Sequence, residues 1–235
     1  MQELLCREEE VAERLRLVLE VGPKGKQVVA VAPDWPGLER GAKTGEAATE
    51  RLLAYLPRYA PVAKLAGLEA EFAAVGSDEV VERYPGTGST DFWGISFAFS
   101  RIDGQAMSSD ELDRELALMR ACWAFFDAVR SRVSAELRPG PRGGGRDRDR
   151  IVRHVVATER DWTRKLGLAT PDGAVLSDEG LKAHRDRYCT AIRACHAEGK
   201  MARTWPLRFL VRHTAFHTLD HAWEMEDRDL TAQRA

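Results

Sequence analysis

The sequence predicts an α+β protein in two parts, a small β-hairpin and helix unit over residues 1–100 and an up-down four-helix bundle over residues 101–235. Three observations predict it. Residues 15–32, LRLVLEVGPKGKQVVAVA, set two apolar, β-branched segments around a Gly-Pro-Lys-Gly-Lys turn, the pattern of a hairpin. After Ser108 the apolar residues recur at helical spacing through four long segments. The chain has 235 residues, of which 44% are apolar and 31% charged, enough to fill a core and longer than a typical domain of roughly 100–150 residues.

Taken in order, the prolines and glycines of residues 33–41 break the strand after the hairpin. Thr44, followed by Glu46 and Ala47, starts a helix carrying Leu52, Leu53 and Leu56 on one side, which Pro57 and Pro61 end or kink. Further strands are expected at 70–77, AEFAAVGS, and at 79–84, EVVERY. The second part opens on serine caps and early acids. Leu112, Leu116, Met119, Trp123, Phe126, Val129 and Val133 then mark one amphipathic helix of about 30 residues. RPGPRGGG at 138–145 is a loop; helices are expected over 146–168, over 177–198, and from beyond Pro206 to about Arg228.

A net charge of −2 gives no global attraction to phosphate backbones or anionic lipid, so nucleic acid and membrane are not expected partners. The acidic N-terminus, without an apolar run behind it, does not read as a secretory signal, and no stretch approaches the roughly 18 apolar residues of a membrane span. A cytoplasmic protein is expected. Cys6, Cys122, Cys189 and Cys195 are scattered without a C-x-x-C pair, and read as buried or idle thiols. Arg138, Arg142, Arg146, Arg148, Arg150 and Arg153 crowd one segment. Asp147 and Asp149 interrupt them and no aromatic residue is interleaved, so a solvated loop is expected.

The histidines carry the chemistry. His213, His217 and His221 recur every four residues in HTAFHTLDHAWEMEDR, and four residues turn a helix through about 400°, so His217 and His221 share a face. One helix offers a metal only such a pair, and a facing helix must supply more. His154, among Ile151, Val152, Val155 and Val156, sits on an apolar stripe directed at the core. Three imidazoles would leave coordination positions open, as in a catalytic site. On the residues alone, hydrogen-bonded core histidines explain the pattern as well as a metal does. His213 has drifted about 80° from His221 and reads as a residue behind the ligands or at the surface. His184 and His196 share a polar face with Arg185 and Arg193 and are expected in solvent.

Candidate acid–base or orienting groups are Asp220 and Glu224, each three residues from a ligand histidine, and Asp161, about 20° of helical phase from His154 where Glu159 is about 140° away. Salt bridges to Arg212 and Arg228 are an equal reading of Asp220 and Glu224. Trp162 and Trp223 either wall the site or pack the core.

Two resemblances add to this. Pro33-Asp34-Trp35-Pro36-Gly37, with Gly41, Thr44, Glu46 and Ala47, resembles the HicB-like domain, a short hairpin and helix scaffold; the DNA-binding segment and toxin partner of HicB antitoxins have no counterpart here. His154 in IVRHVVATERDW and the pair in FHTLDHAWEMEDR resemble the DinB-like family of four-helix bundles. Together they cover nearly the whole chain, as in uncharacterised two-part actinobacterial proteins. The DinB-like resemblance implies that His154, His217 and His221 hold a divalent metal, zinc first, with nickel and iron as alternatives. It further implies a low-molecular-weight thiol cosubstrate, such as mycothiol or bacillithiol. The expected activity is then metal-dependent thiol S-transfer to a small electrophile, or a related transferase or isomerase reaction. One alternative is a non-catalytic metal-binding or regulatory module whose HicB-like part docks a partner; a fourth protein ligand would mark it. A weaker one is the non-haem iron chemistry of ergothioneine-type sulfoxide synthases, which carry a large further domain where this chain has about fourteen residues after His221. The helix over 112–133 also offers a face for a homodimer.

Overall fold

β1 (Glu13–Val21) and β2 (Val28–Val31) pair antiparallel, Val18 opposite Val31 and Val21 opposite Val28, around the turn that the Gly-Pro-Lys-Gly-Lys segment dictates. This is seen in a computed structural model that describes residues 13–140 and 145–231. The turn is closed by the Gly22 N–H on the Gln27 carbonyl and turns at Gly25, whose φ of +61° suits a residue without a Cβ. Asp91, in the short helix α4 (Gly88–Trp93), clips it by accepting the N–H groups of Lys24 and Lys26 at 2.7 and 2.8 Å.

The sheet has two strands that the sequence pattern hides or misplaces. Residues 33–38 form a tight turn, as their prolines and glycine require, but Glu39–Ala42 then resumes the ladder as β3, antiparallel to β2. Its sequence, ERGA, does not read as a strand because Glu39 and Arg40 are buried polar side chains whose partners lie far along the chain. Gly41 is required there: a Cβ would stand 2.1 Å from the Gly94 carbonyl oxygen. In place of separate strands at 70–77 and 79–84, residues Glu69–Ala73 form a helical turn, and one long strand, Val75–Pro85, follows as β4. Phe72 draws the first segment into the helical turn by packing on Trp35 and Tyr59, ring centroids 4.8 and 5.3 Å away.

β4 runs parallel to β1, which requires a crossover. It is made by α1 (Gly45–Leu53), α2 (Leu56–Leu65) and the turn at Glu69–Ala73, α3, giving strand order β3-β2-β1-β4. Thr44 caps α1 as expected, accepting the Ala47 N–H. Pro57 lies in the first turn of α2, where a missing N–H costs nothing, and Pro61 lies inside it.

Four long helices follow: α5 (Ser109–Arg132), α6 (Arg148–Thr163), α7 (Asp178–Ala197) and α8 (Leu207–Asp227). Ser108 with Glu111 closes a capping box on α5, and Asp147 and Ser177 cap α6 and α7. α5 is shorter than its apolar pattern suggests and stops at Arg132. Likewise α6 passes at Arg164–Leu166 into a 3-10 turn that Gly167 ends with a positive φ.

The core crosses residue 100. Leu15, Leu17, Leu19, Trp35, Tyr59 and Phe72 form one buried cluster with Leu118 and Cys122 of α5 and Ala215, Leu219 and Trp223 of α8. Leu112, Leu116 and Met119 of α5 meet Tyr188 and Ile192 of α7 and Leu210 of α8, while Phe126 and Val129 meet Ile151 and Val155 of α6 and Met225 of α8. The apolar face of α5 is thus buried within the chain. α8 is enclosed on nearly every side and touches all three clusters. Among the described residues, no helix is long and apolar enough to cross a membrane.

Candidate metal centre

His154 comes from the middle of α6, one residue before Val155, whose burial directs that stripe of the helix inward. His217 and His221 come from the outer half of α8, where its enclosed face gives way to a half-buried one. The three rings converge. Centroids are 5.0 Å apart from His154 to each of the others and 4.7 Å between His217 and His221. One nitrogen from each ring lies within 4.8 Å of the other two, and all three residues are half-buried. The Nε2 atoms of His154 and His217 face each other at 3.2 Å.

This geometry fits a divalent ion. Two nitrogen ligands of one tetrahedral zinc, each ~2.0–2.1 Å from it, stand ~3.3 Å apart. Burial, reinforced by the neighbouring His221 and Arg146, pushes His154 down to about 4. Burial and the adjoining imidazoles hold His217 well below the ordinary histidine range. Both are therefore neutral at pH 7, with a lone pair free for a metal. Among the described residues the grouping closes at three; no cysteine, carboxylate or further histidine completes it.

Glu224 supports the centre. Its Oε2 accepts from His221 Nδ1 at 2.8 Å, which leaves Nε2 as the ligand atom, and its Oε1 accepts from Arg228 Nη1 at 2.5 Å. Burial raises this carboxyl, but the hydrogen bonds from His221 and Arg228 outweigh it and hold Glu224 below the usual carboxylate range. Arg228 is fixed in turn by the carbonyls of Arg138 and Arg146. The arginine-rich segment touches the site through those two carbonyls, while the side chains of Arg138, Arg146, Arg150 and Arg153 are exposed, as expected of a solvated segment; Arg148, Arg150 and Arg153 belong to α6, and Arg142, like Cys6, lies outside the described residues.

The other candidates are placed differently. Asp220 is 51% exposed and lies 3.5 Å from Arg40, because Arg212 is taken by Asp103 and Glu39. Asp161 is 57% exposed and pairs with Arg164 on the outer face of α6, with no contact to the histidines. Trp162 walls the centre, 5.3 Å from His217, whereas Trp223 packs on Tyr55 in the core. Glu159 is fully buried in a two-pronged pair with Arg185, a structural ion pair joining α6 to α7.

Two histidines expected in solvent are covered. His184 is 1% exposed, its Nδ1 2.9 Å from Thr170 Oγ1, because the segment after α6 folds over α7. His196 is half-buried, with Nε2 2.8 Å from the Met107 carbonyl. His213 is buried among Phe97, Trp162, Trp205 and Phe209, an aromatic surround spread over three segments that no local pattern announces. Cys122 and Cys189 are buried thiols and Cys195 is half-buried.

No family model, curated protein or solved structure matches the chain. A cleft of about 950 Å³ lies on the opposite face of α6, lined by Val152, Arg153, Val156 and Arg160, and includes none of the three histidines. The chemistry therefore rests on the donor set at the triad: three imidazole nitrogens, a carboxylate behind one of them, and no fourth protein ligand among the described residues.

Proposed function

We propose that α5–α8 form a metal-holding four-helix bundle of the DinB-like kind, and that the protein is a metal-dependent thiol S-transferase acting on a small electrophile. The observation that carries this reading is the three-imidazole donor set, drawn from two helices and left without a fourth protein ligand among the described residues. A structural ion would be enclosed by four. The thiol cosubstrate rests on the resemblance of His154, His217 and His221, with the tail that follows them, to the DinB-like family.

When bound, a divalent ion on three uncharged ligands supplies the positive charge that acidifies a thiol at neutral pH. The chain's own residues do the rest. His154, His217 and His221 fix the site between α6 and α8. Glu224 holds the His221 ring through Nδ1, and Arg228 keeps that carboxylate ionised and aimed. Trp162 covers one side of His217 and limits access of water.

The deciding experiment is elemental analysis of the untagged protein beside His217→Ala/His221→Ala, followed by a transfer assay with a mycothiol-like donor and an electrophilic acceptor. About one equivalent of divalent metal in the wild type, none in the variant, and metal-dependent loss of free thiol are expected. A wild-type chain that takes up no zinc, nickel or iron overturns the reading. A metal-loaded chain inert toward thiols removes the transferase and leaves a metal-binding protein.

A further inference from the structure

The three ligand rings are not equally supported. A histidine that binds a metal through one nitrogen almost always donates its other N–H to a fixed partner, which sets the tautomer and the ring plane. His221 has Glu224 for this. His217 has nothing: with Nε2 turned to His154, its Nδ1 is buried and unpartnered. The hydroxyls nearest to it on α8 are committed, Thr214 to Tyr188 and Thr218 to the Thr214 carbonyl.

One turn upstream stands a second group in the same condition. His213 is 4% exposed and its Nδ1 is also buried without a partner. Its ring stacks on Phe209, centroids 5.0 Å apart and 15° from parallel, and Trp162, Trp205 and Phe97 close round it. Packing alone would favour a phenyl ring there, since an unsatisfied buried polar group costs ~1–3 kcal/mol. Helical side chains lean toward the N-terminus, so the ring of His217 lies over the turn that carries His213, with Cβ atoms ~5–6 Å apart. Trp162 touches both rings, at 4.9 and 5.3 Å.

We propose that His213 is the positioning residue for His217, holding its Nδ1–H through one buried water bound between the two Nδ1 atoms. The inference rests on the triad being a metal site. His217, ligating through Nε2, donates from Nδ1 to the water; the water donates to His213 Nδ1, whose proton sits on Nε2. Both orphaned atoms are satisfied by one molecule, and the second ligand of α8 gains the fixed orientation that Glu224 gives the third.

The test is zinc affinity by competition titration, with the visible spectrum of the Co²⁺-loaded protein as a second readout, on the whole chain. His213→Phe fills the aromatic surround and removes the acceptor; His213→Asn keeps a polar atom close to the Nδ1 position. For His213→Phe we expect zinc affinity ~10–100-fold weaker, an altered Co²⁺ spectrum, and metal-free thermal stability equal to or above that of the wild type. His213→Asn should recover most of the affinity. Should His213→Phe not fold, His213→Leu serves the same comparison. Wild-type affinity in the apolar variant, or an Asn variant as weak as the Phe variant, overturns the proposal while leaving the metal site standing. A wild-type chain that binds neither Zn²⁺ nor Co²⁺ overturns both.

Discussion

Two buried polar clusters lie a short way apart on α8, and they differ in completeness. Around Arg212 every hydrogen-bonding group is matched. The guanidinium gives Nε and Nη2 to the two oxygens of Asp103 at 2.7 and 2.8 Å and Nη1 to Ser96 and Glu39 at 3.1 and 3.3 Å. Glu20 alongside accepts from Ser96, Phe97, Ala98, Tyr84 and Thr90. Burial raises Asp103, but Arg212 more than offsets it and holds the carboxyl below its usual range. From the next residue onward, around His213 and His217, nitrogens are buried without partners. A filled network of this kind has a fixed structure as its product, whereas an unfilled one of metal-ligating type is suited to receive something.

The sharpest way to break the comparison is Arg212→Met. It leaves Asp103 buried without its cation and Glu39, which burial pushes up to about 8, without its guanidinium donor, and a loss of ~3–5 kcal/mol is expected in urea unfolding. If the variant is as stable as the wild type, the network does not hold the sheet to α8. Next in size is the effect of metal. Zinc at ~100 times its dissociation constant should raise wild-type stability by ~2.7 kcal/mol and leave His217→Ala/His221→Ala unmoved, as followed by the midpoint of thermal unfolding. An equal rise in both proteins would place the metal elsewhere. Glu224→Gln keeps the shape of the carboxylate but weakens its hold on His221. A fall of about tenfold or more in zinc affinity is expected by titration, and unchanged affinity would reduce Glu224 to a partner of Arg228.

A further expected effect is a pH dependence. Burial, helped by Arg187 and Arg185, pushes His184 down to about 4, below its ordinary 6.5. The unfolded chain takes up this proton near pH 6.5 and the folded chain only near pH 4. The group's contribution is therefore present above pH 6.5 and is lost as pH falls toward 4. Stability of the wild type minus that of His184→Leu should decline across that window. A flat difference would mean that His184 charges freely in the folded state.

Much of this is legible in the sequence. The hairpin, the Thr44 cap, the four long helices and the candidate ligands all follow from local patterns: β-branched runs about a Gly-Pro turn, serine and aspartate caps, and histidines at a four-residue period. What escapes is set by distant partners. ERGA is a strand because Glu39 is matched by Arg212 and Arg40 lies over the rings of Tyr55 and Trp223, and Phe72 sits in a helical turn because Trp35 and Tyr59 are there to receive it. In the site, spacing to His221 is enough to find Glu224. Helical phase alone favours Asp161 over Glu159, yet phase does not reveal that Arg164 holds Asp161 outward. The surround of His213 draws on residues 97, 162, 205 and 209, and periodicity within α8 carries no trace of it.

The cluster joining Leu15, Leu17 and Trp35 to Leu219 and Trp223 has a consequence for biosynthesis. A ribosome adding ~5–20 residues per second takes on the order of ten seconds or more to reach α8 after releasing β1. Until then the nascent sheet and its crossover helices carry an uncovered apolar face, the kind of surface that chaperones hold. The same helix that covers it brings two of the three histidines, so closing the core and assembling the donor set are one event in the life of the chain.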